Sequence, residues 1–149
     1  MKTAFRITAL CFVLVLFTAC TAWAQADIIG KWKTIDDETN QPKSIVQIFE
    51  KDGKIYGKIV KLFLKEGDNQ HPTCDKCPDD DDRKDQPTLG MEIIRGLEKD
   101  NGKYTSGKIL DPKKGKEYKC SIWLEDDKTL NVKGSILFFS RTQTWHRVE

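Results

Sequence analysis

Two cysteines in the middle of the sequence, Cys74 and Cys77, are separated by two residues and form a C-x-x-C motif. Sulfurs at this spacing form a local disulfide, ligate a metal, or exchange disulfides when one thiolate is stabilised. The motif lies among aspartates, which oppose a thiolate. We therefore predict a structural disulfide between Cys74 and Cys77, with a metal site and redox catalysis as the alternatives.

A zinc site would need further ligands, and His71 and Cys120 are the candidates. Cys120 lies on the apolar face of an alternating segment, which favours an inert buried thiol far from the loop. The acidic run 79–82 lacks the spaced ligands and the glycine of a calcium loop and is interpreted as a solvated loop tip. We predict no metal and no cofactor.

The remaining residues form no catalytic set. The two histidines, His71 and His146, lie in a loop and a strand, and no nucleophile elbow, phosphate loop or paired-carboxylate motif occurs. The chain has 25 basic and 23 acidic residues, a net charge of +2, and the two signs alternate. This pattern lacks the basic stripe of a nucleic-acid binder. We predict neither an enzyme nor a nucleic-acid-binding protein.

The elements that must position these residues are short strands separated by turn signals. Asp52-Gly53 and Asn101-Gly102 are strong hairpin turns between apolar segments. We predict eight strands, over residues 28–35, 44–50, 55–63, 90–98, 103–110, 117–124, 130–136 and 141–148. Consecutive hairpins favour a small antiparallel up-and-down β-barrel of about eight strands, which has no exposed edges. The fold class is therefore all-β.

Residues 65–89 interrupt this pattern with a long polar segment that contains the C-x-x-C motif. Connections of this length in small domains are usually functional or mobile. We interpret the segment as one long loop of a single barrel domain over residues 25–149.

The first 24 residues have the features of a secretory signal peptide. Lys2 and Arg6 precede an apolar run, and Ala22-Trp23-Ala24 provides small residues for cleavage before Gln25. In an alternative reading, Cys20 ends a lipoprotein box and anchors the chain through a lipid. No later apolar run is long enough to cross a bilayer. We expect an exported protein, periplasmic or secreted.

Six segments in the same order resemble the bacterial family called domain of unknown function 2147. They are residues 29–37, 57–60, 74–77, 107–112, 118–120 and 134–145. The resemblance covers essentially the whole chain after the leader and implies an exported, lipocalin-like β-barrel with no assigned activity. The bulky apolar stretch 135–140 departs from the family, which often has glycines there.

The two ends of the barrel sequence also resemble lipocalin-like barrels. Gly30-Lys31-Trp32 begins the first strand, and Arg141, Trp145 and Arg147 lie on the last strand. In such barrels a first-strand Trp lies beneath an Arg of the last strand, in a cation–π contact that closes one end. The resemblance implies this structural role for these five residues.

The lipocalin-like resemblance suggests that the barrel binds a small hydrophobic or amphipathic molecule such as a lipid. We predict Tyr118, Phe138 and Phe139 as ligand contacts, with the two phenylalanines gating the open end. The alternative is a non-catalytic interaction module of the bacterial envelope, which docks a partner through the 65–89 loop.

Overall fold

The computed structural model describes residues 27–148, so the predicted leader, its cleavage site and Cys20 lie outside the described residues. Within this range eight strands follow one another: β1 (Gly30–Ile35), β2 (Pro42–Lys51), β3 (Lys54–Leu62), β4 (Glu92–Asp100), β5 (Lys103–Asp111), β6 (Lys116–Asp126), β7 (Thr129–Ile136) and β8 (Phe139–Arg147). Each predicted strand end lies within two residues of the observed one. Residues 27–148 contain no helix long and apolar enough to cross a membrane.

The strands form a closed antiparallel barrel in chain order, which confirms the predicted fold class. Each strand pairs with the next, and β8 returns to pair with β1. The tight turns at one end have the predicted chemistry, because Asp52, Gly53, Asn101 and Gly102 all have positive φ. We call this end, which includes the start of β1, the closed end, and the opposite end the open end.

The closed end is filled by large side chains. Trp32, Trp145, Ile48, Ile122 and Leu130 are fully buried inside the barrel. Their alternation with less buried neighbours follows from the period of two along a strand. The barrel interior on the side of the closed end therefore has a packed core.

Arg147 packs over the buried side chains at the closed end. The guanidinium carbon of Arg147 lies 4.2 Å from the centre of the Trp32 ring. Arg147 also donates hydrogen bonds to the carbonyl oxygens of Asp27, Ile29 and Asp127, which tie the segment before β1 to the β6–β7 turn. Arg147 thus makes the contact implied for a last-strand arginine. Arg141 does not, since it lies at the open end.

Two glycines allow the strands to approach closely inside the barrel. A Cβ on Gly57 would lie 3.2 Å from side-chain atoms of Ile94 and Val46, and one on Gly107 would lie 2.7 Å from the carbonyl oxygen of Arg95. The pairing register shifts beside both glycines. Gly57 therefore marks the irregularity or close approach expected for a glycine inside a strand.

Candidate functional site

The open half of the barrel contains a cavity of about 280 Å³. Trp145 and Val132 lie deepest in it, and the walls include Ile59, Ile109 and Tyr118. A packed layer of side chains lies beneath this cavity. A second cavity, of about 700 Å³, lies at the closed end and is the more polar of the two, with Glu50 and Asp126 in its lining. The apolar open-end cavity is the one that suits a small ligand.

One side of the cavity is polar. Arg141 Nη2 lies 3.1 Å from Asp37 Oδ2, and the amide of Gln143 donates a hydrogen bond to the same carboxylate. Deeper inside, the hydroxyls of Thr34 and Ser44 are joined at 2.8 Å, and both residues are buried. The cavity thus combines apolar walls with a strip of hydrogen-bonding groups along β8, and Asp111 and Lys114 add polar groups at the β5–β6 turn.

The strip is built by the alternation of β8. Arg141, Gln143 and Trp145 pair with Gly134, Val132 and Leu130 of β7 and line the cavity, whereas the threonines between them are exposed. Trp145 Nε1 donates to Gln143 Oε1 at 3.3 Å, which fixes the side chain of Gln143.

The wall between β1 and β8 is closed mainly by side chains. The two strands pair at only two positions, Trp32 with Arg147 and Lys33 with His146. Towards the open end the backbones are no longer paired, and the contacts of Asp37 with Arg141 and Gln143 bridge the gap. Asp37 therefore both lines the cavity and holds its wall together.

The long connection between β3 and β4 is fastened to the barrel at its C-x-x-C motif. Cys74 and Cys77 are joined in a disulfide and are both buried. Cys74 Sγ lies 3.4 Å from the carbonyl oxygen of Pro112, which lines the cavity. Gly115 approaches so closely that an added Cβ would lie 1.9 Å from Lys76 O. The loop thus supports the β5–β6 turn, and its predicted role in docking a partner stays a prediction.

A buried arginine fastens the same loop a second time. The side chain of Arg83 is 6% exposed and contacts Asp81 and Glu117, each at 2.7 Å. The hydrogen bonds from Arg83 hold the pKa of Asp81 well below its ordinary value. Partial burial would raise the pKa of Glu117, but hydrogen bonds from Lys108 and Arg83 outweigh it and lower this pKa. The network joins the loop to β6.

These ion pairs correct our interpretation of the acidic run as a solvated tip. Asp79 is solvated, with a side chain 99% exposed. Asp81 instead binds Arg83, and Asp82 accepts two hydrogen bonds from Arg95. The run is therefore partly an anchor, because its carboxylates face cations contributed by the loop and by β4.

Two of the three predicted ligand contacts line the cavity, and the third does not. Tyr118 and Phe139 line the cavity, and Phe139 is the first residue of β8. Phe138 does not line it, since its side chain points into solvent and is 99% exposed. Sequence reasoning missed Asp37 and Gln143 as cavity residues. The period of two between Arg141 and Trp145 was the signal for Gln143.

Cys120 and His71, the other candidate ligands for zinc, lie in different parts of the structure. Cys120 is buried in the core, and burial raises the pKa of its thiol to about 12. His71 is exposed in the loop. Among residues 27–148 no group of three or more His, Cys, Asp and Glu side chains is placed to hold a metal ion.

The comparisons with known proteins agree with this fold. A family model described as an uncharacterized protein conserved in bacteria (DUF2147) matches residues 30–147. No curated protein sequence matches the chain. Among solved structures, the protein HP1028 of Helicobacter pylori, described as belonging to the lipocalin family, superposes with a TM-score of 0.71. The two are 19% identical, and the match covers 84% of this chain and 85% of that one. The chain therefore belongs to the DUF2147 family, and its fold is a lipocalin-like β-barrel.

Proposed function

We propose that this chain is an exported, non-enzymatic binding protein that holds a small amphipathic molecule in the open-end cavity. The observation that carries the proposal is the combination of apolar cavity walls with a few hydrogen-bonding groups, among them Arg141 and Gln143. Ligand sites are typically apolar with a few polar groups that fix orientation. The lipocalin-like fold supports the same reading by analogy.

The cavity indicates what kind of molecule fits. Its volume of about 280 Å³ is near the lower limit of pockets that hold drug-sized ligands, about 300 Å³. The apolar part of the ligand lies against Ile59, Ile109 and Val132. Its polar group meets Arg141 and Gln143, which offer N–H donors. A longer chain extends past Ile136 and Phe139 at the mouth.

The test is mass spectrometry of an organic extract from natively purified protein, with a variant that fills the cavity. Gly134 lines the cavity, and a Cβ there would make ordinary contacts at 3.5 Å or more. Gly134→Leu therefore places a side chain in the ligand's space with little backbone strain. Ser135→Leu is the matched control, because it adds the same side chain on the outer face of β7.

We expect a stoichiometric amphiphile in extracts of the wild type and of Ser135→Leu, and its loss from Gly134→Leu. A ligand-free wild-type protein would refute the proposal. A ligand retained by a folded Gly134→Leu variant would place binding outside the cavity and refute it as well.

A further inference from the structure

The most exposed apolar side chains of residues 27–148 lie together at the β7–β8 turn. Four of the six exposed large hydrophobic residues in this part of the chain are the consecutive residues Ile136, Leu137, Phe138 and Phe139. Leu137 is 90% exposed and Phe138 is 99% exposed. We call these four residues the apolar tip. Exposed apolar residues grouped in this way mark interaction sites more often than single ones do.

The backbone shows that the tip is unusual for a turn. Leu137 has a φ of 51°, close to the values of Asp52 (53°) and Asn101 (46°) in two other tight turns of the barrel. Those turns use residues that tolerate a positive φ, whereas leucine is strained there. Neither burial nor turn preference explains a leucine at this position. A strained backbone at an exposed site points to a function that requires the side chain.

The charged side chains of the β7–β8 hairpin itself are basic. The β7–β8 hairpin contains no Asp or Glu between Lys128 and Val148, and Lys133 and Arg141 lie behind the tip. Arg141 faces Gly134 in the strand pairing, two positions from the last pair before the turn, which is roughly 7 Å at the rise of a β-strand. Arg141 forms an ion pair with Asp37, and Lys133 is exposed on the outer face of β7.

We propose that the apolar tip inserts into the surface of an anionic lipid bilayer. Apolar side chains that enter the interface by about 5–10 Å, with lysine or arginine behind them, are typical of surface-bound segments. A tip of four residues is too small for a stable protein interface, which needs roughly 800 Å² from each partner. The observations therefore favour a bilayer over a second copy of the chain.

The apolar tip lies at the mouth of the open-end cavity, so its contact with a bilayer would also position the cavity. Ile136 and Phe139 belong to the tip and also line the cavity. Insertion therefore brings the mouth of the cavity to the lipid surface. Contact of the tip with a bilayer does not depend on what occupies the cavity.

The experiment is flotation with lipid vesicles, using the chain from Gln25, which contains all eight strands and the whole described core. One vesicle preparation contains phosphatidylcholine with phosphatidylglycerol, and the other contains phosphatidylcholine alone. The test variant is Leu137→Gly with Phe138→Ser. Glycine suits the positive φ of the first position, so this variant retains its melting temperature. The control is Leu89→Ser, which removes an exposed apolar side chain outside the tip.

We expect the wild type and Leu89→Ser to float with the anionic vesicles and less with the neutral ones. The tip variant should bind at least about tenfold more weakly, because two apolar side chains no longer leave water. Equal flotation of the tip variant would overturn the proposal, as would a wild-type protein that does not float. Wild-type dimers that become monomers in the tip variant, without flotation of either, would assign the tip to contact between copies and overturn it too.

Discussion

Arg83 provides the sharpest test of how the long loop is held. Replacing Arg83 with Met keeps most of the apolar stem and removes the guanidinium that contacts Asp81, Glu117 and the carbonyl oxygen of Glu92. Removing one partner of a buried ion pair costs about 3–5 kcal/mol. Glu117 is 30% exposed and keeps its ion pair with Lys108, so the lower end of this range applies. We expect a loss of about 3 kcal/mol.

The assay is chemical and thermal unfolding followed by circular dichroism. For a domain of this size, the expected loss lowers the melting temperature by roughly 10 °C. Lys54→Met is the control, because Lys54 pairs at 2.7 Å with Glu98 outside the loop and both side chains are about half exposed. Exposed pairs of this kind contribute about 0–1 kcal/mol. If Arg83→Met is no less stable than Lys54→Met, the buried network does not fasten the loop.

The wild type and Arg83→Met should also differ in how their stability depends on pH. The pKa values of Asp81 and Glu117 are lowered in the folded state, so their ionised forms stabilise it above their unfolded pKa values, about 4. This contribution is lost as the pH falls through the folded values. The stability gap between wild type and Arg83→Met should therefore be full at neutral pH and shrink below about pH 4. A gap that does not change with pH would refute the electrostatic reasoning.

Two further predictions concern the interior. Gly107→Ala should destabilise the barrel by about 2 kcal/mol or more, because its Cβ would lie 2.7 Å from Arg95 O, whereas Gly134→Ala, with 3.5 Å of room, should change the unfolding free energy by less than about 1 kcal/mol. Equal costs would mean that the strands adjust. Cys120 should resist thiol-specific reagents until the protein unfolds, and the thiol should destabilise the fold between about pH 9 and 12, where the unfolded thiol ionises and the folded one does not. Rapid labelling of the native protein would contradict its burial.

The strands and most turns are predictable because their signals are local. Asp52-Gly53 and Asn101-Gly102 specify hairpins by residue type alone. The alternation from Tyr118 to Leu124 identifies which side chains face inward, and Cys120 and Ile122 are indeed buried. Consecutive hairpins then leave few topologies other than the observed barrel.

The site is less predictable because it depends on contacts between distant residues. Asp37 and Gln143 are 106 residues apart in sequence and meet only when β8 closes against β1. Phe138 and Phe139 are chemically identical neighbours, yet one points into solvent and the other lines the cavity. Their difference follows from where the turn ends, and boundaries are the least certain part of a sequence prediction.

Because β1 and β8 pair over a short stretch, we expect local opening of the barrel to occur between these two strands. Separating β7 from β8 would break pairing at eight positions, but separating β1 from β8 breaks it at two, together with the hydrogen bond from Val148 N to Lys31 O. Local opening follows the path with the fewest backbone hydrogen bonds. Such an opening would begin where Asp37 releases β8 and would widen the cavity from its side. We therefore expect lateral exchange with the surroundings along this line, opposed by the contacts of one carboxylate.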